Sequence, residues 1–137
     1  MNIKQFSMAL VLAAMLALTA SAQNPLTLTT GSATGALGAT GSVTLPVNAL
    51  NGAVAWQLTG TFSGTVTFEA TVDGTNWVAA AVVPIGATRT LATTATAAGL
   101  WQQNASGLTA VRARVSTYTS GTFVITGKRS AGTAPPQ

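Results

Sequence analysis

The feature that most restricts what this chain can fold into is a two-residue rhythm of apolar and polar side chains. Within residues 65–72, Val66, Phe68, Ala70 and Val72 alternate with Thr65, Thr67, Glu69 and Thr71. Within residues 110–117, Val111, Ala113 and Val115 alternate with Arg112, Arg114 and Ser116. Successive side chains of a strand point to opposite faces, so this rhythm marks a strand with one face buried. It predicts Val66, Phe68 and Val111 inside, and Glu69, Arg112 and Arg114 outside. No stretch after Ala22 sustains a helical period.

Turn chemistry cuts the rest of the chain into similar pieces. Asn51-Gly52, Phe62-Ser63-Gly64, Asp73-Gly74-Thr75-Asn76 and Thr119-Ser120-Gly121 each supply residues that favour tight turns. Strands are expected at 42–47, 53–61, 65–72, 77–83, 88–92, 100–103, 110–117 and 122–127. The first contains Pro46 and therefore belongs at an edge. The small, polar stretch 93–99 has no assignment. About seven to nine short strands with frequent turns imply an all-β fold: an antiparallel sandwich, immunoglobulin-like or jelly-roll-like.

Outside these strands the chain changes character. Residues 1–22 place Lys4 before the apolar run MALVLAAMLAL, and Ala20-Ser21-Ala22 follows with small residues. This is the plan of a secretory signal peptide, and the run is shorter than the ~20 residues a membrane-spanning helix needs. The alternative is a retained apolar anchor. Residues 23–41 form a Gly/Thr-rich arm, read as flexible or extended, with Leu26-Thr27-Leu28-Thr29 as a short β-like piece. The sandwich domain is expected at 42–127. Residues 128–137, with Gly132, Pro135 and Pro136 and no apolar rhythm, are expected to be a disordered tail.

Composition limits the function. The 137 residues include six Lys and Arg, two Asp and Glu, and neither His nor Cys. Charged residues make up 6% of the chain, against roughly 25% in ordinary soluble domains. The cations do not cluster as a nucleic-acid footprint requires, so no nucleic-acid partner is expected. Without His or Cys the chain has no Ser-His-Asp triad and none of the usual zinc ligands. Its carboxylates, Glu69 and Asp73, would stand ~13 Å apart at the Cα atoms on an extended strand. Glycosidase pairs need about 5 to 9.5 Å between carboxyl groups. No enzymatic activity, cofactor or metal is expected.

Two groups of residues are candidates for binding. Asp73, Asn76 and Trp77 would form a loop offering an aromatic face and hydrogen bonds to a surface glycan; the simpler reading is a tight turn whose Trp packs on the sheet. Arg112 and Arg114 share one strand face and would meet an acidic neighbouring subunit; the simpler reading is a solvated face, with Glu69 as a partner from another strand. The many Ala and Thr residues leave the core thin in bulk, so self-association is expected to supply part of the stability.

The segments GTFSGTVTFEATVDGTNWV (60–78), AAGLW (97–101) and SGLTAVRARVSTYTSGTFVIT (106–126) resemble a β-sandwich domain recurring in structural proteins of tailed bacteriophages: head-decoration, head-fibre and tail-associated chains. The resemblance covers roughly residues 41–127. It implies a non-enzymatic virion component that joins a lattice or displays an adhesive domain. A cleavable leader and the absence of a long fibre depart from that pattern. The expected function is therefore a structural subunit of a virion or extracellular assembly, at the virion surface or outside the cell. The alternative is an exported carbohydrate-binding or adhesion module. Membrane contact would come only through the leader.

Overall fold

Each clean alternation becomes a strand in the computed structural model, which describes residues 31–86 and 88–131. The leader at 1–22, the first part of the arm at 23–30 and the tail from 132 lie outside the described residues. Ten strands are formed among those described: β1 (Gly31–Leu37), β2 (Gly41–Pro46), β3 (Asn51–Thr59), β4 (Phe62–Thr71), β5 (Val78–Ala79), β6 (Val82–Pro84), β7 (Thr94–Ala95), β8 (Gly99–Asn104), β9 (Ala110–Gly121) and β10 (Phe123–Ala131).

The pairing is nested. β1 pairs with β10, β2 with β9, β3 with β8 and β4 with β5, all antiparallel. The chain is thus one long hairpin, and two further pairings, β10 with β3 and β4 with β9, roll it up. The result is two five-stranded sheets, one ordered β1-β10-β3-β8-β6 and the other β2-β9-β4-β5 with β7 also on β4. This wiring is that of a jelly roll and decides between the two sandwich topologies the sequence left open.

The inward parity of both sheets meets in one apolar layer. Trp56 on β3 and Phe68 on β4 are fully buried from opposite sheets, with ring centroids 6.4 Å apart. Phe68 also lies 5.6 Å from Trp101 on β8. At the other end, Phe62 stacks on Phe123 at 4.1 Å. Trp56 is large enough to need a gap in the neighbouring strand: a Cβ on Gly127 would lie 2.5 Å from its ring. Its buried indole N–H donates to Gln103 Oε1 at 2.7 Å, so the largest core side chain keeps its polar atom satisfied.

Several expectations are corrected. The second half of the Gly/Thr-rich arm is β1, paired over its whole length with β10. Residues 128–131, assigned to the tail, continue β10: all four pair with β3, and Lys128 and Arg129 pair with β1 as well. Both segments are strands because distant segments supply their partners, which local composition does not reveal. The expected strand at 77–83 is two strands, since the chain leaves β4 for β8 after Ala79. Residues 88–92 hold only one bridge, Ala92 to Val82, and the short β7 falls in the unassigned stretch instead. Pro46 does end an edge strand, β2.

Candidate functional site

The loop from Val72 to Trp77 is closed by its own side chains. Asp73 Oδ1 accepts from the N–H groups of Thr75 at 2.8 Å and Asn76 at 2.7 Å. The Asn76 side-chain amide donates to Asp73 Oδ2 at 2.6 Å, and the Thr71 hydroxyl donates to Oδ1 at 3.0 Å. Gly74 takes the positive φ of 77° that the turn requires. The Asn76 amide, its N–H, the Thr75 N–H and the Thr71 hydroxyl together hold the Asp73 carboxyl far below the usual carboxylate range. Asp73 and Asn76 therefore spend their hydrogen bonds on each other and on the backbone, as in the simple turn reading.

Trp77 leaves this loop on the outer face of the second sheet. Its parity follows from the register: Ala79 lies opposite Glu69, so residue 77 shares the outward side. The half-buried indole covers the Arg112 guanidinium, whose carbon lies 4.2 Å from the ring centroid. Arg112 Nε is 2.5 Å from Glu69 Oε2, and Arg114 Nη2 is 2.7 Å from Glu69 Oε1. The structure thus brings Trp77, Arg112 and Arg114 into one group around Glu69, while Asp73 and Asn76 stay within their turn. The Arg114 hydrogen bond, joined by Arg112 and opposed by burial, holds Glu69 below the usual carboxylate range. Glu69 was expected on a solvated face, yet only 8% of its side chain is exposed, because it is held between two long arginines, one of which carries the indole. Ser116 and Thr67 continue this face with a hydroxyl bond of 2.7 Å.

Beside the loop lies a feature the sequence reading missed. A depression of about 420 Å³ is lined chiefly by Ala70, Val72, Val78, Ala80 and Leu108, with Thr71, Asp73 and Asn76 among its polar contacts. Val72 and Val78 are 69% and 68% exposed. Val72 had been placed in the buried stripe of its strand. β4 stops at Thr71, so Val72 passes beyond the partner that would have covered it. Val78 pairs opposite Ala70 on a two-residue edge strand, with nothing further out among the described residues. The Thr109 N–H donates to Thr71 O at 3.0 Å, and its hydroxyl donates to Val72 O. These bonds hold the loop that carries Leu108 beside the depression. The signal in the sequence was an apolar residue on each side of a turn.

A second omission is Arg129, assigned to the tail. It reaches from β10 across to the Pro46 carbonyl on β2 and so ties the two sheets together. No three His, Cys, Asp or Glu side chains come together among the described residues.

No protein-family model matches the chain, and no curated protein matches it significantly. Among solved structures, the chain is similar to the SPBc2 prophage-derived protein YomS, with a TM-score of 0.62 and 15% identity over 78% of this chain and 100% of that one. At that identity the likeness shows the shared fold alone.

Proposed function

We propose that this chain is a non-enzymatic structural subunit of a virion or extracellular assembly, of the decoration or fibre-like kind. The observation that carries the reading is the depression at the end of the sandwich, where Val72 and Val78 stand exposed around an apolar hollow. Its lining suits an aliphatic side chain of a neighbouring subunit better than a sugar, whose hydroxyls would find few free partners there. The chemistry elsewhere agrees. Both carboxylates of the chain are held in structural bonds, Glu69 by two arginines and Asp73 by its own turn. The prophage origin of a protein with this fold is compatible with the virion reading.

The test is a density gradient on native material, followed by the intact mass of the chain. Co-banding with particles is expected, and the mass would show whether the chain begins at Met1 or at Gln23. Val78→Glu is expected to reduce co-banding while leaving the melting temperature unchanged, since the side chain is already exposed. A chain that never bands with particles or filaments and sediments as a monomer would overturn the proposal.

A further inference from the structure

Charge is not balanced on the outer face of the second sheet. Arg112 and Arg114 converge on one carboxylate, Glu69, which leaves one positive charge without a counter-charge. Both guanidiniums are held in place. Arg114 bonds Glu69 through Nε and Nη2, and Arg112 bonds it through Nε and lies under the Trp77 ring. Arg112 Nη1 and Nη2 and Arg114 Nη1 have no hydrogen-bond partner among the described residues, and each reaches the surface. The two side chains are 22% and 39% exposed. A fixed guanidinium with one edge engaged and its other N–H groups open suits a carboxylate.

We propose that this arginine pair docks on carboxylate side chains of a different protein, the acidic surface of the assembly that the chain joins. This rests on the assembly reading above and adds the charge of the partner. The occupant follows from the acids the chain has. Its whole sequence holds two carboxylate side chains, Glu69 and Asp73. Glu69 is already engaged by the two arginines, and Asp73 accepts four hydrogen bonds within its own turn. No other segment of the chain has a carboxylate side chain to offer. A second copy has the same two in the same bonds and brings six cations, so like charges would meet. The footprint is also short. Lys128 and Arg129 lie on β10 in the other sheet, and Arg89 lies in the segment between β6 and β7. Two arginines on one strand fit one or two carboxylates, whereas a polymer of phosphates or sulfates is held by a longer row of cations.

Thr44 is exposed on β2 directly opposite Arg112, a cross-strand distance of ~5 Å between Cβ atoms. Thr44→Glu therefore sets a carboxylate of the chain itself against the open guanidinium nitrogens. The readout is the binding of purified chain to native particles stripped of it. The natural chain is expected to bind in about 0.05 M NaCl and to lose at least about tenfold in affinity in about 0.5 M, where charges are screened. Thr44→Glu and Arg114→Gln are each expected to bind at least about tenfold more weakly, the first with a melting temperature no lower than the natural chain's. Thr44→Gln, of the same size without the charge, is expected to bind as the natural chain does; an equal loss there would make the effect one of shape and overturn the proposal. Particles whose carboxylates have been capped as neutral amides are expected to take up at least about tenfold less chain. If capped particles bind it undiminished, the anion is a phosphate or sulfate and the carboxylate proposal falls. If neither salt nor Thr44→Glu alters binding while Val78→Glu reduces it, the arginine proposal falls and the assembly reading stands. If the natural chain binds neither particle nor filament, both fall.

Discussion

β4 with β9 and β1 with β10 are both long antiparallel pairs, and they are stable for different reasons. In the first pair each strand brings its own bulk. Val66 and Phe68 face inward beside Val115 and Ala113, while Glu69 and Thr67 meet Arg112, Arg114 and Ser116 outside. In the second pair one strand brings the bulk and the other makes room. Phe123 and Ile125 on β10 are fully buried, whereas β1 sets Leu37 and Gly35 opposite them. The glycine at 35 is demanded by the packing: a Cβ there would lie 2.7 Å from Val43 Cγ2 on β2. Where the two sheets converge at this point of their margin, the strand fits because its inward residue has no side chain. A composition that reads as a linker is here the consequence of a tight corner.

The largest effect should come from the self-sufficient pair. Phe68→Ala removes a fully buried ring that touches Trp56 and Trp101, and is expected to cost about 3–5 kcal/mol in chemical denaturation. A loss below about 1 kcal/mol would mean that the centre is no better packed than the margin.

Gly35→Ala tests the margin through the size of its effect. In a flexible arm the change would leave stability nearly unchanged, because the residue would be as free in the folded as in the unfolded chain. Against the buried Val43 it is expected to destabilise by about 1–3 kcal/mol. An unchanged stability would return β1 to the status of a loosely attached arm.

The smallest effect concerns the outer face of β4 and β9. Glu69→Gln keeps the shape and removes the charge that holds Arg112 and Arg114. The expected cost is about 1–2 kcal/mol, held low because the Arg114 side chain is 39% exposed and so partly screened. The same group sets an acid response. Its folded pKa lies below its unfolded one, so its contribution is present above about pH 4.5 and is lost as the pH falls below that toward the folded value. Asp73 acts in the same direction. The melting temperature is expected to fall below about pH 4 in the natural chain, and less steeply in Glu69→Gln. Equal slopes would show that the Glu69 cluster contributes nothing to stability.

Hydrophobic rhythm and turn residues made the centre of the fold legible. The alternation of β4 and β9, the Val54–Trp56–Leu58 stripe of β3 and the Asp73-Gly74 turn are local features, and each is found where it was expected except at Val72, beyond the end of β4, and at the shielded Glu69. The salt bridges of Glu69 were foreseen as a pairing but not as a shielded one, since shielding depends on Trp77 lying over Arg112. Trp77 lies half-buried on the outer face and Leu100 is 38% exposed, although both are large apolar residues in expected strands, because a residue's face depends on the register its strand adopts.

From the sequence alone came the all-β class, the sandwich, the central strands and the turn at Asp73, because period-two burial and turn chemistry act between neighbours in the chain. Only the tertiary structure decided for the jelly roll, turned the glycine-rich arm into an edge strand and split residues 77–83 between two sheets. It also left Val72 and Val78 uncovered. Each of these depends on which distant strand lies alongside, and hydrogen bonds between strands carry no record in the local order of side chains.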